Sequence, residues 1–144
     1  MCGIGGFVMR RAISPREPAE ARLWRMIATL RHRGPDDEGV WTDGRAGLAH
    51  ARLSIIDLSP AAHQPMTSAD ETVLITYNGE VYNFAELRQR LIALSYPFHS
   101  RNDTEANLTA PPRKEIDPTD VVISPQAVMI RLCHGHRPSA GVTR

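Results

Sequence analysis

Apolar residues recur at helical spacing in two stretches of this chain, with short apolar runs before and between them. Leu23, Met26, Ile27 and Leu30 share one helix face. Ser14-Pro15-Arg16-Glu17 predicts where that helix starts: Ser14 is the N-cap, Pro15 takes the first helical position and Glu17 closes a capping box. The helix is expected to run to about Arg31, with Gly34-Pro35 ending it. Asn83 and Glu86 form a second capping box, ahead of a buried stripe of Phe84, Leu87, Leu91 and Leu94. Gly3 to Met9 reads as a short buried strand. Glu38 to Thr42 and Ala46 to Arg52 read as strands joined by a hairpin at Asp43-Gly44. Thr72 to Tyr77 is the clearest strand, followed by Asn78-Gly79 where a tight turn is expected. Ser59 to Pro65 is irregular and Pro97 to Ser100 extended. Strands and helices in mixed order, with hairpins that imply antiparallel pairing, predict an α+β fold.

Beyond that pattern the chain changes in kind. Residues 106–144 hold five of the 11 prolines, including Pro111-Pro112, and show no sustained period. Only Val121 to Ile123 and Ala127 to Cys133 look apolar enough to pack there. The expectation is a loosely ordered tail, or at best one short strand and one short helix.

Bulk composition narrows the class. A length of 144 residues suits one domain, or part of a larger one. With 17 basic against 16 acidic residues and no basic run, nothing points to a nucleic-acid partner. No apolar run approaches a membrane span, and no signal peptide is seen, so the cytoplasm is the default location. The only two cysteines, Cys2 and Cys133, make no disulfide framework. Cys133-His134-Gly135-His136 is half a metal site without a second ligand pair, so no metal is expected.

Cys2 follows the initiator methionine. If Met1 is removed, the α-amine and the thiol belong to one residue, which then carries both a nucleophile and a base. Cys2 could equally be a small residue at a frayed end. Four other segments stand with it: Arg31-His32-Arg33-Gly34-Pro35-Asp36, Arg52-Leu53-Ser54-Ile55-Ile56-Asp57, Tyr77-Asn78-Gly79-Glu80-Val81-Tyr82-Asn83, and Ser100-Arg101-Asn102-Asp103-Thr104-Glu105. In these residues the chain resembles the N-terminal glutaminase domain of asparagine synthetases, among the class II (N-terminal nucleophile) glutamine amidotransferases, over residues 2 to about 105.

The resemblance implies a four-layer αββα sandwich of the N-terminal-nucleophile hydrolase kind, here incomplete. It also implies that glutamine is hydrolysed to glutamate and ammonia through a thioester on Cys2. The oxyanion would be held by the Asn78 side chain and the Gly79 backbone N–H. Arg52 would grip the substrate carboxylate with its planar fork of donors, and Asp103 would hold the ammonium. Further glutamine contacts fall to Leu53, Ser54, Ile55 and Ile56, with backbone contacts at the two isoleucines, and to Glu80. No cofactor is implied for this chain. ATP and Mg would belong to the absent synthetase domain, and a separate synthetase domain or chain is a candidate partner besides glutamine.

Each residue also has a plainer reading. Asn78-Gly79 could be only a turn, Asp103 only a helix cap and Arg52 only a surface charge. His32 and His50 invite a general-base role but read better as structural. From Ala106 onward the resemblance stops, and no pyrophosphate loop is present. The expectation is therefore a truncated domain: sheet edges unpaired, apolar surface exposed from Leu48 to Ile56 and Val73 to Ile75, and weak activity. A non-catalytic remnant, or a glutamine-binding module docking on a synthetase, stays open as an alternative.

Overall fold

The computed structural model describes residues 1–10 and 18–109, and the backbone of residues 127–131. Ser14, Pro111-Pro112, Val121 to Ile123 and the Cys133-His134-Gly135-His136 cluster lie outside the described residues. Strands β1 (Gly3–Val8), β2 (Asp37–Thr42) and β3 (Ala46–Arg52) form one antiparallel sheet in the order β1-β3-β2. Strands β4 (Met66–Thr67), β5 (Val73–Tyr77) and β6 (Ala127–Arg131) form a second in the order β4-β5-β6, also antiparallel. The α-helices among the described residues are α1 (Ala19–Leu30), α2 (Phe84–Ala93) and α3 (Asp103–Thr109), with short 3-10 turns at Arg31–Arg33 and Pro60–Ala62. The fold mixes α and β, as expected. No helix among the described residues is long and apolar enough to cross a membrane.

The turn between β2 and β3 forms for the expected reason. Gly44 takes a left-handed φ of 85°, open to glycine at little cost. Asp43 Oδ1 accepts the Arg45 N–H at 2.8 Å and the Ala46 N–H at 2.6 Å, closing the loop.

Period-two alternation then assigns each sheet face. On β3, Ala49 packs with Val40 against Leu23 and Ile27 of α1. The alternate residue Leu48 turns the other way and clusters with Trp41 and with Leu74 of β5. His50 follows Leu48 on that face, and its Nδ1 lies 2.8 Å from Thr76 Oγ1 of β5. Val73, Ile75 and Tyr77 face away from the first sheet, onto Leu87 and Leu91 of α2 and Ala106 and Leu108 of α3.

Several expectations are corrected here. Leu48, Ala49, Ala51, Val73, Leu74 and Ile75 are buried, not exposed. β5 has no unpaired edge: β4 flanks one side and β6 the other. β6 falls on the Ala127 to Cys133 stretch that the sequence marks as able to pack, as one short strand. Of the apolar stretch 48–56, Ile55 and Ile56 stay open to solvent, at 71% and 43% exposure, because they sit in the loop after β3. Leu94 does not complete the α2 stripe. It lies past the last helical residue and is 46% exposed. Asn83 makes no side-chain cap hydrogen bond, so the second capping box is not formed. The chain also does not fold back as a hairpin at Asn78-Gly79; it passes from β5 into α2. Helix α3 carries the chain past residue 105, and its Ala106 and Leu108 join the core, although no packing was expected there.

Candidate functional site

Cys2 precedes β1, whose register runs beside β3, from Gly3 opposite Ala51 to Val8 opposite Ala46. That pairing puts the Cys2 thiol against the residue after β3. Its Sγ accepts the Leu53 N–H at 3.3 Å and lies 3.7 Å from the Leu53 carbonyl. Arg33 Nε donates to the Cys2 carbonyl at 3.2 Å.

Gly34 explains how Arg33 gets so near. It packs under β3 so closely that a Cβ would collide with the Ala51 carbonyl. Asp36 then pins the next loop twice, donating its N–H to the Arg52 carbonyl at 3.0 Å and accepting the Ser54 N–H on Oδ2 at 2.8 Å. The Arg-His-Arg-Gly-Pro-Asp segment is therefore a buttress beneath Cys2 and the loop after Arg52.

A pocket of about 440 Å³ opens at this end of the two sheets. Cys2, Arg52, Leu53, Ile55, Ile56, Asn78, Gly79, Glu80 and Asp103 all line it. Ser54 does not. It faces a second cavity of about 430 Å³ with Asp36, Asp37, Ser59 and His63, and Arg52 stands between the two. Met1, Gln64, Tyr77, Tyr82, Asn102 and Thr104, none of which has a role assigned from sequence, also line the first pocket. The two tyrosines, Asn102 and Thr104 lie inside motifs already singled out. Gln64 sits in the segment read as irregular, where no periodicity could mark it.

Arg52 is buried, not a surface charge. Its guanidinium donates to the Asp57 carbonyl and, at 3.2 Å, to the Ser59 carbonyl, which curls the loop after β3 around it. Asp57 fixes the other side of that loop. Its carboxylate accepts the N–H of Arg101 and of Ser59, each at 2.8 Å. Those bonds, the Arg101 N–H foremost, hold its pKa below the ordinary carboxylate value.

Asp103 is buried at the start of α3, and its Oδ2 accepts the Val81 N–H at 2.9 Å. Burial pushes its pKa up, and Glu80 adds to this; backbone N–H donors from Val81, Thr104 and Asp103 itself offset part of the shift. A cation bound beside Asp103 would relieve that penalty. His50 lies outside the pocket as a strut between the sheets, and His32 is exposed in the turn after α1.

The pocket thus joins a thiol, a buried guanidinium, a buried carboxylate and a side-chain amide next to a glycine. These are complementary to a small zwitterion with a cleavable amide.

Comparison with known proteins gives the same direction. Residues 1–114 match the family model described as a glutamine amidotransferase domain. The chain is 39% identical over 108 residues to asparagine synthetase [glutamine-hydrolyzing] 1 of Bacillus subtilis, an alignment spanning 75% of this chain and 17% of that protein. It is 39% identical over 106 residues to asparagine synthetase [glutamine-hydrolyzing] 1 of Arabidopsis thaliana, spanning 73% and 17%. A putative asparagine synthetase of Methanocaldococcus jannaschii is 36% identical over 108 residues, spanning 62% and 20%. The chain therefore spans about a sixth of the length of such relatives, and it belongs to the glutamine amidotransferase domain family.

Proposed function

We propose that this chain hydrolyses glutamine to glutamate and ammonia, with Cys2 as the nucleophile. The observation that carries this reading is one pocket gathering Cys2, Arg52, Asn78, Gly79 and Asp103 from four separate stretches of sequence.

Removal of Met1, which is 75% exposed, frees the Cys2 α-amine. That amine takes the thiol proton as sulfur attacks the amide carbon. The oxyanion forms towards Asn78 and Gly79. Ammonia leaves with the transferred proton, and water then cleaves the thioester to glutamate. Arg52 and Asp103 hold the carboxylate and ammonium of the substrate, with Glu80 and the loop 53–56 around them. Each of these steps uses a group of this chain or water, and we assign ATP and Mg to a synthetase domain.

In this reading the two sheets and their flanking helices are the αββα layers of an N-terminal-nucleophile hydrolase. The α1 contacts on one sheet and the α2 and α3 contacts on the other support that. The names of the relatives support asparagine synthesis as the destination of the ammonia, with a synthetase domain or chain as partner.

Intact mass and labelling test the mechanism. Protein from cells with normal methionine aminopeptidase is expected to lack Met1, and a glutamine-like electrophile is expected to modify Cys2 and spare Cys133. Retained Met1 leaves no free amine on Cys2, and would sink the mechanism.

Arg52→Lys gives an independent check on recognition. A point charge cannot reproduce a planar fork, and a lost charge-assisted contact is worth roughly 1.5–3 kcal/mol. Glutamine affinity measured by titration on a hydrolysis-dead background should fall by about one to two decades. Unchanged affinity would show that Arg52 serves only to curl the loop.

A further inference from the structure

We propose that Gln64 is a positioning residue for amide cleavage, setting the spacing between the two ends of the pocket that receive the substrate. This rests on the glutaminase reading above. Gln64 is buried, and its amide is used at both ends. Its Oε1 accepts the Tyr77 N–H at 2.7 Å, and its Nε2 donates to Thr104 Oγ1 at 3.1 Å. Tyr77 immediately precedes Asn78, and Thr104 immediately follows Asp103. A single side chain therefore ties the backbone that delivers the oxyanion donors to the residue after the ammonium anchor.

The register explains why a side chain does this. In the β4–β5 ladder Met66 stands opposite Ile75 and Thr67 opposite Leu74. Continuing that ladder brings Gln64 opposite Tyr77. The two-residue strand β4 begins only at Met66, so Gln64 lies beyond its end. The backbone carbonyl of Gln64 is turned instead towards β2, where it leaves room for nothing larger than Gly39. The side-chain carbonyl supplies the acceptor the ladder lacks, and the NH2 group is left to reach across to Thr104. Glutamine alone combines this length with an acceptor and a donor. Asn falls one methylene short, Glu has no donor when ionised, and Met has neither group.

Displacements well under an ångström matter at such a site, because oxyanion donors and substrate anchors must be placed together. Gln64→Met is therefore expected to lower kcat for glutamine hydrolysis by about tenfold or more and to raise KM. Alkylation of Cys2 by iodoacetamide should stay within about twofold of the parent, since that small reagent needs neither the oxyanion donors nor the ammonium anchor. A merely structural role would change both readouts together. Thr104→Val keeps the shape and breaks only the Nε2 bond; it should raise KM with a smaller effect on kcat.

If the parent hydrolyses glutamine and Gln64→Met stays within about threefold of it in kcat and KM, the role of Gln64 is refuted and the glutaminase reading stands. Parallel loss of turnover and alkylation likewise refutes positioning in favour of a structural role. Should Gln64→Met fail to fold, unchanged kinetics in Thr104→Val carry the same refutation. A parent with no glutaminase activity overturns the underlying reading and this inference with it.

Discussion

Asn78→Ala is expected to reduce the turnover of glutamine by about 100- to 1,000-fold, the usual cost of losing one oxyanion donor, or roughly 3–4 kcal/mol of transition-state stabilisation. Asn78 is buried at the pocket wall, where it follows the last residue of β5. Few waters can replace its amide there, so the developing charge would lose a fixed donor in a site of low polarity. KM should move much less than kcat, because the donor meets an oxyanion that exists only in the transition state. Ammonia release across a range of glutamine concentrations separates the two constants. A fall of less than about tenfold in a folded variant would leave the Gly79 backbone as the sole oxyanion donor and remove Asn78 from the mechanism.

Why Asn78 could be picked out while Gln64 could not follows from what sequence patterns encode. Strand β3 is legible at Ala46–Arg52, the bounds observed, because the Asp43-Gly44 hairpin signal marks where it begins; its two faces bury Leu48 and Ala49. The Asp43-Gly44 turn was legible because its chemistry is local: one side chain and one left-handed glycine. The α1 stripe was legible for the same reason, with Leu23 and Ile27 both fully buried. Strand β4 is only two residues long, too short to show any period.

Helix α3 shows no apolar period where it starts, at Asp103, Thr104 and Glu105, and a cap at Asp103 is its one local signal. They are buried because their polar atoms find backbone partners across the fold. Glu105 accepts the N–H groups of His99 and Ser100, each at 2.7 Å, and Asp103 accepts that of Val81. The Val81 partner of Asp103 lies 22 residues back and carries no local signature, whereas those of Glu105 are five and six residues back. Most of the residues proposed to act on glutamine line the pocket and stand in motifs, whereas Gln64, which links Tyr77 to Thr104, stands in none. Ser54 is placed apart from its motif neighbours. Motif membership placed it with its neighbours, but its N–H is drawn to Asp36 and the residue faces the second cavity.

The stability of the protein should fall steeply as pH drops from about 6.5 towards 3, with His50 as a main cause. This histidine is 0% exposed, and its pKa is pushed down to about 3, first by burial and then by the charges of Arg52 and His63. Its Nδ1 is matched with Thr76, while among the described residues Nε2 has no hydrogen-bond partner, so nothing there stabilises a second proton. Between those two pH values the unfolded chain binds a proton that the native state refuses. The native state is therefore at full advantage above about pH 6.5 and loses it progressively on acidification; over the whole window the loss is on the order of 5 kcal/mol. That is comparable with the 5–15 kcal/mol of net stability typical of a domain.

Two carboxylates contribute in opposite senses. Asp57, with its lowered pKa, adds stability that is lost only as pH falls below the ordinary carboxylate value. Asp103, with its raised pKa, works in the opposite direction, since protonation relieves its burial. Urea unfolding midpoints at a series of pH values, for the parent and for His50→Gln, isolate the histidine. The glutamine keeps an amide for Thr76 and has no proton to titrate, so its midpoint should change little between about pH 6.5 and 5, where the parent already declines. Parallel pH profiles for the two proteins would show that the strut between the sheets does not govern acid sensitivity.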